Sequence, residues 1–211
     1  MSMTNPGLTV LDHPLVRVEL SLLRSVTTGT DGFRSSLNRL AELLFMEATR
    51  HFETVSVPVT TPLVETTGAA LARPVVLVPI LRAGLGLLDG VLDLLPGAVV
   101  AHLGIARNEE TACPEPYYAK LPACLPEAEV IVLDPMLATG GSACEALNQL
   151  KAVGATRLTM VTVLSCPQGV AAVTQAHPDV RLITGVVDAG LNEKNYIVPG
   201  LGDAGDRYFG T

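Results

Sequence analysis

Residues 129–142 read EVIVLDPMLATGGS: an apolar run, a carboxylate, then a short stretch of small and hydroxyl residues. The run Val130-Ile131-Val132-Leu133 suits a strand covered on both faces, and a helix is expected to begin near Ser142. Asp134, at the carboxyl end of that strand, is placed to accept hydrogen bonds from sugar hydroxyls. Gly140 and Gly141 let the backbone take positive φ and approach a ligand closely. Thr139 and Ser142 add hydroxyl donors, and the unpaired N–H groups of a helix start favour an anion. This is the chemistry of a phosphate cradle beside a sugar-binding carboxylate. An ordinary strand-to-helix turn with Ser142 as N-cap accounts for the same residues. A Walker loop does not, because no G-x-x-x-x-G-K-[ST] occurs in the chain.

Two further segments carry chemistry. Val78-Pro79-Ile80-Leu81-Arg82-Ala83-Gly84-Leu85-Gly86 puts a lone arginine at the end of an apolar run, and an anion is its natural partner. A surface pair with Asp89 or Asp93 is the alternative. Gly84, Gly86 and Gly90 are spaced G-x-G-x-x-x-G, one residue too long for the dinucleotide fingerprint, so a Rossmann enzyme is a weak rival on this segment. The tail from Asp188 to Thr211 is glycine-rich and without period, yet Ile197, Val198, Leu201, Tyr208 and Phe209 suggest an ordered, packed loop. Asp203 and Asp206 there could simply cap turns.

Asp134-Pro135-Met136-Leu137-Ala138-Thr139-Gly140-Gly141-Ser142 resembles the signature of type I phosphoribosyltransferases that binds phosphoribosyl diphosphate (PRPP). Most relatives place two acidic residues side by side there. Asp134 followed by Pro135 is similar to the uracil phosphoribosyltransferase branch, and the resemblance runs from about residue 74 to residue 211. It implies that uracil and PRPP become UMP and diphosphate, with PRPP held by residues 134–142 together with Arg82, Arg107 and Asp203. By the same resemblance residues 114–120 form a flap over the site, with Tyr117, Tyr118 and Lys120 helping to close it. Water exclusion would protect an oxocarbenium-like ribose. The tail would bind uracil through the main chain of Ile197, Gly202 and Ala204, with Asp203 near ribose and diphosphate. Fixed donors and acceptors of that kind reject cytosine. The resemblance further implies Mg²⁺ arriving with PRPP, a homodimer or higher homo-oligomer, and GTP as a candidate effector. Orotate or a purine as the base is opposed by residues 195–204.

The elements that must position these residues follow from hydrophobic spacing. Residues 15–26 form a first helix or arm, and Thr30-Asp31-Gly32 offers an N-cap for a helix to about residue 52 with Phe33, Leu37, Leu40, Leu44 and Ala48 on its buried face. Residues 55–59 alternate as a strand or hairpin arm, while 60–72 follow neither period. Strands are expected at 75–78, 98–105, 130–133, 158–164 and 180–187, and helices at 85–94, 142–153 and 168–176. Residues 107–125, with the charged cluster Asn108-Glu109-Glu110, read as a long loop, and the chain from 191 as irregular. Alternation of this kind specifies an α/β fold with a parallel sheet flanked by helices. The resemblance makes it one type I phosphoribosyltransferase-like domain: N-terminal helices and arm (1–60), a PRPP-binding core (74–187) and a base-binding hood (188–211).

At 211 residues the chain can bury a core without staples. A net charge of −7, no tryptophan and 4% aromatic residues oppose nucleic-acid binding, and with it a pyrimidine-responsive RNA-binding regulator on the same fold. Cys113, Cys124, Cys144 and Cys166 form no C-x-x-C pair, and His13, His51, His102 and His177 no ligand spacing. Reduced thiols, no signal-peptide pattern and no membrane-length apolar run make the cytosol the expected compartment.

Overall fold

The computed structural model describes residues 7–107 and 114–211. In chain order the elements are β1 (Leu8–Val10), α1 (Pro14–Arg24), α2 (Thr30–Ala48), β2 (Thr54–Thr60), β3 (Glu65–Leu71), β4 (Val75–Leu81), α3 (Leu85–Leu94), β5 (Val99–Val100), β6 (His102–Arg107) and β7 (Pro114–Lys120). They continue with β8 (Glu129–Leu133), β9 (Met136–Leu137), α4 (Gly141–Ala152), β10 (Leu158–Ser165), α5 (Pro167–Ala176), β11 (Arg181–Val187), β12 (Gly190–Leu191), β13 (Ile197–Val198) and α6 (Ala204–Phe209).

The main sheet runs β1-β11-β10-β8-β4-β6-β7, with β5 beside β4 and β9 beside β10. Its pairings are parallel except for β7, which lies antiparallel to β6. The solid apolar runs β4, β8 and β10 occupy its centre and are covered on both faces. Successive residues of β4 alternate between two cores. Val75 and Leu77 pack with α1, α2 and α3, whereas Val76, Val78 and Ile80 pack with α4 and α5.

Helix α2 buries the five expected residues and also Ser36, Ala41 and Phe45. It ends at Ala48, short of residue 52, where Thr49 Oγ1 donates to the Phe45 carbonyl at 2.9 Å. Gly29, not Thr30, is its N-cap. Several stretches depart from the sequence reading: residues 8–10 form β1, the strand expected at 98–105 is broken into β5 and β6, and α6 forms in a tail expected to be irregular. Residues 114–120 are an ordered strand rather than loop, because β7 pairs with β6 from His102↔Lys120 to Arg107↔Pro114. The stretch without period holds β3, which closes a hairpin on β2. Among the described residues no helix is long and apolar enough to cross a membrane.

Candidate active site

After β4 the chain moves outward to β5, β6 and β7, and then returns to place β8 on the other side of β4. The reversal makes the carboxyl ends of β4 and β8 a topological switch point, the usual ligand crevice of an open α/β sheet. Pro79 of β4 is in register with Leu133 of β8, so the Arg82 segment and Asp134 leave the sheet side by side. Gly84 permits this, since a Cβ there would stand 2.4 Å from the Leu133 carbonyl oxygen.

Beyond β8, Asp134 is partly exposed, and its Oδ1 lies 3.5 Å from the Met136 N–H. Burial pushes its carboxyl up from 3.8 to about 7, against the opposing pull of that N–H. Gly140 takes φ +86° and packs so tightly on α5 that a Cβ would stand 2.8 Å from that of Ala172. Gly141, expected to share the positive φ, is the first residue of α4. Ser142 lies inside that helix and is not its cap; Gly140 is the N-cap, and no side chain caps the end. Among the described residues only the Gly141 N–H has a side-chain acceptor, a long 3.5 Å contact with Thr139 Oγ1, so this end can still turn N–H groups toward a ligand. Cys166, at the start of α5, braces the loop from behind, its thiol donating to the Ala138 carbonyl at 3.0 Å.

Arg82 is 60% exposed, and its guanidinium pairs across 3.4 Å with Asp206 instead of Asp89 or Asp93. It also lies 5.6 Å from the centre of the Phe209 ring. The tail thus folds back over the β4 segment. Asp203 is the N-cap of α6, its Oδ1 accepting the Asp206 N–H at 2.9 Å. The backbone of Arg107 closes β6, while the contact expected of its side chain, the cluster Asn108-Glu109-Glu110 and Cys113 lie outside the described residues. Tyr117, Tyr118 and Lys120 are exposed on β7.

A cavity of about 520 Å³ unites three of these segments. Ala83 lines it from the Arg82 segment, Met136 and Ala138 from the loop after β8, and Ile197, Gly202, Asp203 and Ala204 from the tail. Lys194 and Tyr196 line it too. Sequence reading missed them, though a cation and an aromatic beside Ile197 were a usable signal. The described residues contain no group of three His, Cys, Asp or Glu able to hold a metal. Asp203 is the one carboxylate on the described wall, a donor set that fits a cation brought in on a polyphosphate better than a resident metal.

A family model described as uracil phosphoribosyltransferase matches residues 10–211. A uracil phosphoribosyltransferase of Alkaliphilus oremlandii is 49% identical over 96% of this chain and 98% of its own. One from Halalkalibacterium halodurans is 50% identical over 96% and 97%. Among solved structures, the AQ2163 protein from Aquifex aeolicus superposes with a TM-score of 0.92 at 36% identity over 96% and 97% of the two chains. An adenine phosphoribosyl transferase from Trypanosoma brucei shares the fold, with a TM-score of 0.59 at 15% identity over 90% and 87%. With an acid-ended strand, an uncapped helix start and a folded-back tail meeting at one switch point, and matches spanning nearly the whole chain, this protein belongs to the uracil phosphoribosyltransferase family.

Proposed function

We propose that this chain transfers the phosphoribosyl group of PRPP to N1 of uracil, yielding UMP and diphosphate. The observation that carries the reading is the shared cavity, walled by the loop after β8 on one side and by Ile197, Gly202 and Ala204 on the other. A ribose 5-phosphate seated on the N–H groups of residues 138–142 would direct C1 toward that tail. The Asp134 carboxylate accepts from the ribose hydroxyls. Arg82 leaves Asp206 to meet the diphosphate, with Arg107 as a second cation. The main chain of Ile197, Gly202 and Ala204 matches the oxygens and N3–H of uracil and holds N1 in line with C1. Catalysis is positioning and electrostatic stabilisation of the departing diphosphate. Asp203 is the carboxylate that would hold, directly or through water, a Mg²⁺ arriving with PRPP, which would supply positive charge at the leaving group. Residues 114–120 would act as a flap over the site and exclude water from the cationic ribose.

The working unit is a homodimer or a higher assembly of identical chains. Thr54–Leu71 carries a single charge, Glu65, and exposes Val55, Val59, Leu63, Val64 and Leu71. Leu15, Val18 and Leu22 form a second exposed apolar stripe on α1. A free two-stranded hairpin is marginal in water, and apolar surface of this extent favours a partner. Gel filtration with and without GTP tests both the assembly and GTP as its effector.

The catalytic reading is tested by incubating the protein with PRPP, Mg²⁺ and each nucleobase in turn while following diphosphate. Release with uracil is expected. Release with orotate or hypoxanthine and none with uracil would overturn it.

A further inference from the structure

A base site built from main-chain groups is only as selective as its backbone is fixed. The segment that would contact uracil has little regular structure of its own, a two-residue ladder between β12 and β13 and then α6. Two part-buried arginine networks hold it instead, and both engage the end of α1.

Arg24 is the last residue of α1, and its side chain is 26% exposed. Its guanidinium forks onto Asp188, donating to Oδ1 at 2.7 Å and Oδ2 at 2.8 Å, and also donates to the Gly200 carbonyl at 3.0 Å. The Asp188 side chain is 6% exposed, and its Oδ2 accepts the Gly200 N–H at 2.8 Å. Gly200 is therefore gripped at both its N–H and its carbonyl, one by each member of a single ion pair. Asp188 is itself anchored to the sheet, because its N–H donates to the Ser165 carbonyl at 2.8 Å. The second network centres on Arg207 of α6. Its guanidinium lies 4.5 Å from the centre of the Phe33 ring and donates to the carbonyls of Leu201 at 2.8 Å, Ser25 at 2.8 Å and Leu23. Leu23 and Ser25 lie at the negative end of α1, which favours a cation there. The two gripped residues, Gly200 and Leu201, stand between Ile197 and Gly202.

We infer that Arg24, Asp188 and Arg207 are positioning residues for the base, fixing the Gly200–Leu201 turn so that Ile197, Gly202 and Ala204 present a rigid pattern to uracil. The inference rests on the uracil site proposed above. The Arg24–Asp188 network reaches the tail at Gly200 and leaves the loop after β8 untouched, so it governs recognition of the base and not of PRPP. Arg207, in contrast, shares α6 with its cap Asp203 and with Asp206, the partner of Arg82, and bears on both substrates. Bidentate geometry, which lysine cannot reproduce, is the property that matters in Arg24.

The test is steady-state kinetics on the full chain, with KM measured separately for uracil and PRPP. Arg24→Met raises KM for uracil by about 10-fold or more and leaves KM for PRPP within about 2-fold. Arg24→Lys, a milder change that keeps the charge, gives an intermediate rise. Arg207→Met raises KM for uracil as well and, because α6 also carries Asp206 and is capped by Asp203, raises KM for PRPP too. Equal rises in both KM values for Arg24→Met, or unchanged KM for uracil in variants that melt at a lower temperature, would overturn the inference by showing a structural role only. Ala204→Val, which narrows the cavity, separates the two readings. If it leaves KM for uracil unchanged, the base site is misplaced. If it impairs uracil while Arg24→Met does not, the clamp alone fails.

Discussion

Asp134→Asn should make the ligand-free protein more stable while disabling it. The change is nearly isosteric, and an amide oxygen can still accept the Met136 N–H that lies 3.5 Å from Oδ1. Burial raises the carboxyl from 3.8 to about 7, so the folded chain keeps this proton to higher pH than the unfolded chain does. Between roughly pH 4 and 7 the folded state binds more protons, and stability falls as pH rises; above about 7 the deficit is constant. At about 1.4 kcal/mol per pH unit, the charged carboxylate costs the fold on the order of 4 kcal/mol. Water at its exposed edge weakens this, leaving about 2 kcal/mol. Asparagine carries no such cost. For a chain of this size that is a rise in melting temperature of about 4–8 °C near pH 8, shrinking toward pH 4. Loss of the charged acceptor for the ribose hydroxyls lowers kcat/KM for PRPP by about 10- to 100-fold. Calorimetry across this pH range and steady-state kinetics read the two effects. An unchanged or lower melting temperature near pH 8 would refute the burial argument, and unchanged kinetics would remove Asp134 from the site.

The same titration predicts that KM for PRPP falls as pH rises through about 7 and that Asp134→Asn abolishes this dependence; an identical profile in the variant contradicts it. Gly140→Ala forces a Cβ onto a residue at φ +86°, 2.8 Å from that of Ala172, and should cost about 1–3 kcal/mol while weakening PRPP binding. Calorimetry and kinetics indistinguishable from the parent would show that the loop does not rest on α5. Leu63→Asp, at a hairpin position 94% exposed, should reduce the assembly to monomer in gel filtration with the fold intact by circular dichroism. Unchanged elution would exclude the hairpin from the contact.

The positions along the chain of the central strands were legible because β4, β8 and β10 are covered on both faces and so read as unbroken apolar runs, while their order in the sheet was not. The buried face of α2 was legible from its spacing, although the helix stops at Thr49, where a side chain competes for a backbone carbonyl. β7 was hidden because Pro114 and Pro116 and a polar composition suit a loop, and its strand geometry comes from pairing with β6. The phosphate loop and its carboxylate were readable as local chemistry. Long-range partners were not. Arg82 meets Asp206, Arg24 meets Asp188 and Arg207 meets Phe33 across distances in sequence that no local pattern records. Gly29 capping α2 likewise depends on where the chain turns, and this is set by packing, whereas a capping role for Asp203 was open in the sequence itself.

The central claim is that the cavity between the loop after β8 and the tail joins uracil to PRPP. The most direct measurement is chromatographic: full-length protein with PRPP, Mg²⁺ and an equimolar mixture of uracil, cytosine, orotate and hypoxanthine, with every base and nucleotide quantified over time. Uracil alone should disappear, matched by UMP and diphosphate in equal amounts. Consumption of another base with uracil left intact would contradict the account.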